Sequence, residues 1–186
     1  RVRPGARWLV HAAAGGVGLL LCAWARMLGA RVVGTVSTDE KARLAREHGC
    51  EHVIVTRDYR FADEVQRHCG GADVIVDGLG EVAREENFNA LAPCGHWISL
   101  GNSTGALQAL SPGWLQQKSA TFSSPVVFAY AATHSTLAER AQRVWDALAD
   151  GTLKAPMIER YSLGAASQAH ARLESRGTVG AVVLVG

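Results

Sequence analysis

A chain of 186 residues suits one domain plus a short appendage, and 48% apolar with 19% charged residues describes a soluble globular protein with material for a sizeable core. A formal net charge of +2 gives no electrostatic case for nucleic acid or an acidic membrane surface. The four cysteines (Cys22, Cys50, Cys69, Cys94) form no C-x-x-C pair, so a structural zinc knot is not expected, no apolar run is long enough to span a bilayer, and mostly buried thiols in a reducing, cytoplasmic compartment are expected.

The chain begins at Arg1 and enters its first strand almost at once, so it reads as a piece of a longer polypeptide. "WLVHAA" (8–13) is a short buried strand, and Val17, Leu20, Leu21, Trp24 and Leu28 recur at helical spacing, which predicts a helix over 16–28 closed by Gly29. A β-branched strand (31–37) precedes a helix with Thr38 as N-cap, Lys41 at its third position and Gly49 as stop. Strand 52–56, helix 62–70, strand 72–80, helix 81–91 and strand 95–101 continue the alternation. Several of these strands are almost wholly apolar, as strands buried on both faces of a parallel sheet are, so the expected fold is α/β with a doubly wound parallel sheet. Beyond 101 the chain predicts a loop, a short helix near 112–117, a closing strand near 119–127 and a long amphipathic helix marked by Leu137, Ala141, Val144, Trp145 and Leu148. The tail from Tyr161 predicts one more helix and a last apolar strand with no evident partner in the sheet.

The chemistry begins at "HAAAGGVG", His11 to Gly18. On a G-x-G-x-x-G template, Gly15 and Gly18 occupy the second and third glycine positions and Ala13 the first. The second glycine lets backbone approach a pyrophosphate, the third lets helix and strand pack closely, and alanine suits the first if its φ stays negative. The turn follows a strand and opens a helix whose free N–H groups and dipole attract phosphate, so it predicts a dinucleotide site; the alternative is a glycine-rich packing turn with no ligand. An NAD site usually carries a carboxylate at the end of the second strand. Here that strand ends Val36-Ser37-Thr38, and Asp39 and Glu40 lie inside the next helix. Ser37 as donor and Lys41 as counter-charge favour a 2′-phosphate, hence NADPH, against the plain reading of Lys41 as a solvated lysine.

These residues, with "DVIVDGLG", "ISLGNSTG", "QKSATF" and "AHARLESRGTVGAVVLVG", resemble the cofactor domain of the quinone oxidoreductase (zeta-crystallin-like) branch of the medium-chain dehydrogenases/reductases. The resemblance implies a zinc-free, NADPH-dependent reductase of quinones or other α,β-unsaturated carbonyls. It further implies a Rossmann domain over 1–154 and, at 155–186, a return segment of a GroES-like domain whose main part would precede the glycine turn. A homodimer through the sheet edge near Thr121–Val127 is expected. Carried onto matching positions, the family's cofactor contacts fall on Gly15, Gly16, Val17 and Gly18 at the turn, Ser37 and Lys41 at the 2′-phosphate, Leu79 by the ribose, Gly101, Asn102 and Ser103 by the nicotinamide, and Arg176 in the tail. The family often has tyrosine after the third strand where Thr56 stands, with Tyr59 off register, an aromatic at Leu100 and an arginine at Ser124.

His11 reads as a satisfied core histidine rather than a catalyst, and the other histidines show no H-E-x-x-H spacing. Asp77 is as well suited to capping the turn after its strand as to holding a ribose. Tyr161 has no lysine four residues on, and no G-x-S-x-G elbow is present. Trp97, Trp114 and Trp145 read as core or interface. No catalytic acid and no metal ligand is assigned. The competing readings are an enoyl reductase module acting on enoyl thioesters and a non-catalytic nucleotide-binding or scaffold domain; a methyltransferase is disfavoured by Ser37.

Overall fold

A computed structural model of the chain describes residues 3–155, 158–175 and 177–186. Six strands form one parallel sheet: β1 (Arg7–Val10), β2 (Arg31–Val36), β3 (His52–Val55), β4 (Ala72–Asp77), β5 (Leu91–Ser99) and β6 (Thr121–Ser123), in the order β3-β2-β1-β4-β5-β6. The order reverses direction between β1 and β4, which makes the doubly wound Rossmann arrangement expected from the apolar strands.

The sheet is covered on both faces because successive strand residues point to opposite sides. Val10, Val32, Val36 and Val53 pack with Ala13, Cys22, Ala25, Ala42 and Ala45 beneath α1 (Gly16–Met27) and α2 (Asp39–Glu47). Leu9, Val33, Ile54, Ile75 and Trp97 pack with Phe61, Val65, Ala83 and Ala90 beneath α3 (Ala62–Cys69) and α4 (Arg84–Ala90), the latter entered through a 3-10 turn at Glu81–Ala83. Trp97 is fully buried, its indole N–H donating to Asp77 Oδ2 at 3.1 Å.

The sequence boundaries shift in three places. β5 starts at Leu91, ahead of the expected 95, because the chain stays extended through a left-handed Cys94 and a register break against β4. β6 has three residues rather than nine: Pro125 has no N–H to extend a ladder, and the chain turns after α5 (Pro112–Gln116) and into α6 (Val127–Tyr130) on either side. The last strand, β8 (Ala181–Val185), does have a partner: β7 (Ile158–Ser162), which the alternation of Glu159, Arg160 and Tyr161 did not reveal, pairs with it in a separate two-stranded parallel sheet. α8 (Ala166–Glu174) joins them. The amphipathic helix α7 (His134–Ala149) forms with a Thr133/Thr136 capping box, but Trp145 on it is 63% exposed, not core. Of the cysteines, Cys22 and Cys50 are buried with Sγ atoms 3.3 Å apart, while Cys69 is half-buried and Cys94 exposed, so the expectation of mostly buried thiols holds for half of them. Among the described residues no helix is long and apolar enough to cross a membrane.

Candidate functional site

At the carboxyl ends of β1 to β5, where the strand order reverses, the chain leaves a cleft of about 290 Å³ lined mainly by Ala12, Gly15, Ser37, Lys41, Thr56 and Tyr59, with Leu79, Ser103, Leu173 and Thr178 completing its walls. Each wall follows from a local rule. The turn after β1 places its left-handed residue at Ala12 (φ +48), one position before the template's first glycine. Ala13 is therefore spared the positive φ that would have required glycine there, and its N–H donates to Thr35 O at 3.1 Å. Gly15 is the N-cap of α1, and Gly16, Val17 and Gly18 form the first turn, whose N–H groups have no intrahelical acceptor. No acidic side chain stands in that turn. Val17 is 66% exposed.

The two template glycines have measurable reasons. A Cβ on Gly18 would lie 2.3 Å from Ala12 O and 2.9 Å from Ala13 Cα, so only glycine allows α1 to lie this close to β1. A Cβ on Gly15 would lie 3.2 Å from Ala12 O, and one on Gly16 3.3 Å from Gly180 O.

Behind the turn His11 is buried between two partners. Its Nε2 meets Asn87 Oδ1 at 2.6 Å and its Nδ1 meets Thr35 Oγ1 at 2.8 Å. With Asn87 Oδ1 as acceptor, Nε2 carries the proton and Nδ1 accepts from the Thr35 hydroxyl. Burial holds the imidazole pKa below its usual value. His11 is thus the core histidine expected from its place on a buried strand. Asp77 caps its turn: Oδ1 accepts from Leu79 N at 2.7 Å and Gly80 N at 3.3 Å.

At the tip of β2, Ser37 is exposed beside the cleft and Thr38 caps α2, accepting from Lys41 N at 3.3 Å, so the first turn of the helix delivers Lys41 to the same wall. Ser37, Lys41, Thr56, Leu79 and Ser103 are brought together around the cleft as the sequence proposed. Gly101 and Asn102 lie in the neighbouring loop, laced to the turn after β4 by Ser103 N to Gly78 O (3.1 Å) and Thr104 N to Leu79 O (2.8 Å), without lining the cleft. Arg176 lies outside the described residues. Ser124 is exposed after β6 and lines no part of the cleft.

Tyr59 requires a correction. Three residues off the family's register, it still lines the cleft beside Thr56, because the loop turns back on itself through a left-handed Tyr59 (φ +61) and an Asp58 that accepts from Thr56 Oγ1 at 3.0 Å and Arg60 N at 3.2 Å. The tail is the other contributor that local sequence patterns could not place. Gly180 N donates to Ala14 O at 3.3 Å and Gly180 forms a parallel bridge with Gly15, which brings Leu173 and Thr178 against the cleft.

This combination of reversed strand order, glycine turn and helix N-terminus has a counterpart among known proteins. The family model described as zinc-binding dehydrogenase matches residues 16–147. The chain belongs to this family. Among curated relatives, quinone oxidoreductase of Pseudomonas aeruginosa is 36% identical over 99% of the chain, and a 2-haloacrylate reductase of Burkholderia sp. is 34% identical over all of it. The crystal structure of Escherichia coli quinone oxidoreductase complexed with NADPH superposes on the whole chain with a TM-score of 0.93 at 35% identity, covering 59% of that protein. The chain spans about 58% of the length of the curated relatives it matches. Among the described residues no three His, Cys, Asp or Glu side chains gather into a group that could hold a metal ion.

Proposed function

We propose that this chain is the NADPH-binding part of an oxidoreductase that passes a hydride to a quinone or another α,β-unsaturated carbonyl. The observation that carries the reading is the β2 tip. Ser37 and Lys41 border the cleft where an NAD site would place a carboxylate, and the nearest acids, Asp39 and Glu40, sit in the first turn of α2. The glycine turn fits the rest of the dinucleotide, since Gly15 caps α1 beside the cleft and the first turn offers free N–H groups with no acidic side chain among them. Relatives are named quinone oxidoreductase and 2-haloacrylate reductase, and two structural neighbours are described with NADPH bound.

When bound, NADPH supplies a hydride from C4 of its nicotinamide. The residues of this chain would bind and orient it: Gly15 to Gly18 the pyrophosphate, Ser37, Lys41 and Thr56 the adenosine end, Leu79 the ribose, and Gly101, Asn102 and Ser103 the nicotinamide end, with Arg176 a further contact by family resemblance. The positioning is the protein's contribution and the chemistry the cofactor's. In the full-length enzyme, residues 155–186 would return to a GroES-like domain preceding the turn, β6 would offer the edge for a homodimer, and the compartment would be the cytoplasm. An enoyl reductase module acting on enoyl thioesters is the second reading, since it would use the same cofactor-binding turn.

Paired titration tests the cofactor. Lys41→Ala should weaken NADPH by about tenfold and leave NADH nearly unchanged, since an exposed ion pair with a phosphate contributes on the order of 1 kcal/mol or somewhat more. Equal weakening of both would remove Lys41 from the 2′-phosphate.

A further inference from the structure

We infer that Arg57 is a second cation for the 2′-phosphate and helps set the choice of NADPH over NADH. The inference rests on the cofactor reading above and adds a specificity residue to that site. β2 and β3 run in register, Val36 opposite Val55, and Thr56 N donates to Val36 O at 2.9 Å. The residue after Thr56 therefore emerges beside the tip of β2. Arg57 uses that position: its Nε donates to the backbone oxygen of Ser37 at 3.4 Å. The guanidinium thus lies against the backbone of a residue that borders the cleft.

Two further observations point to an anion. Among the described residues Arg57 makes no ion pair, and its terminal nitrogens, Nη1 and Nη2, donate to no protein acceptor. The adjacent carboxylate is turned elsewhere, since Asp58 Oδ1 accepts from Thr56 Oγ1 and from Arg60 N. Lys41 lines the cleft from α2, and Arg57, just outside its lining, contacts Ser37 from the loop after β3, so cations from two elements flank the tip of β2. A planar guanidinium with two unengaged nitrogens suits a phosphate better than a point charge does. This arrangement also offsets the replacement of the family's tyrosine by Thr56: the loop that lacks the aromatic at that register carries a cation at the next one.

The test uses two ligands that differ only by the 2′-phosphate, adenosine 2′,5′-bisphosphate and adenosine 5′-monophosphate, titrated calorimetrically into the full chain, its Arg57→Gln variant and its Arg57→Lys variant. The glutamine variant should lose about tenfold in affinity for the bisphosphate and none for the monophosphate, and the lysine variant should lose less, because it keeps the charge but not the fork. The wild-type advantage for the bisphosphate should shrink as salt rises. Unchanged bisphosphate affinity in Arg57→Gln, or equal loss for both ligands, overturns the role of Arg57 and leaves the cofactor reading standing. A wild-type chain that binds neither ligand, or binds them equally, overturns the cofactor reading and the role of Arg57 with it.

Discussion

Gly18→Ala puts the packing argument for the third glycine to a quantitative test. The added methyl carbon would sit 2.3 Å from Ala12 O, 2.9 Å from Ala13 C and 2.9 Å from Ala13 Cα. Non-bonded carbon contacts settle at about 3.5–4.0 Å, so α1 and the turn must separate by roughly 1 Å, and the Ala12 and Ala13 atoms in the way are backbone that no rotamer change can clear. Overpacking of this kind costs about 1–3 kcal/mol, and alanine recovers about 1 kcal/mol of helix propensity over glycine, so the clash must exceed that gain for the variant to be destabilised. With backbone on both sides of the contact, the upper end of the range applies and the net loss is about 2 kcal/mol. For a chain of this size that is a fall in Tm of about 4–8 °C. The same displacement moves the N-terminal turn of α1, so affinity for NADPH should fall by at least about tenfold. The matched control is Gly113→Ala, where a Cβ would meet nothing within 4 Å inside α5 and Tm should stay level or rise. Differential scanning calorimetry and a fluorescence titration read both effects. A Gly18→Ala protein as stable as wild type with unchanged affinity would refute the close-approach argument.

Two more predictions concern stability against pH. Arg7 holds Asp73 through Nε to Oδ2 at 2.9 Å, with Arg7 N on the same oxygen at 2.8 Å, and the guanidinium keeps the carboxyl below its usual range. A depressed carboxylate pKa gives stability that is present above the unfolded value of 3.8 and lost as pH falls through the folded one, so the gap between wild type and Asp73→Asn should be open at pH 7 and close below about pH 4 in urea melts. His11→Ala strands Thr35 Oγ1 and Asn87 Oδ1 in the core and should cost about 2–4 kcal/mol at neutral pH. Because burial lowers the His11 pKa, wild type should also lose stability as pH falls below the unfolded value of 6.5, and a His11→Gln protein should show a shallower decline over that interval.

The sheet was legible because its signal is local and repeated. Apolar runs such as those at β1, β2 and β4, each followed by an amphipathic helix with a capping residue or a glycine stop, leave few other topologies. Thr38 as N-cap and Gly29 and Gly49 in left-handed conformations past helix ends match the boundaries read from the chain, while Gly70, expected inside the third helix, is its left-handed cap. The failures are where pairing is not local. β7 carries Glu159 and Arg160 between its apolar positions and is held by β8, about twenty residues away, through main-chain register alone. β6 was overextended because Val126 and Val127 have strand propensity, yet Pro125 ends the ladder and both valines are exposed.

The site divides along the same line. Gly15, Gly18, Ser37 and Lys41 could be placed by counting, because a strand, a turn and a helix in succession fix where each residue falls. Tyr59 could not, because its place in the cleft depends on a reversal of the chain at Asp58 and a left-handed φ at an aromatic residue, for which residue type is a poor guide. Nor could the tail: Gly180 meets the turn at Ala14 and Gly15 from across the sequence, and the same glycine approaches Gly16 closely enough that a side chain there would press on Gly180 O. The glycines of the turn therefore answer to two demands at once. Gly18 is required by the backbone behind it, whereas Gly16 is closely approached by the tail in front of it. A substitution at Gly16 that loosened the tail would leave the β1–α1 packing intact, and so would separate the fold of the turn from the closure of the cleft over it.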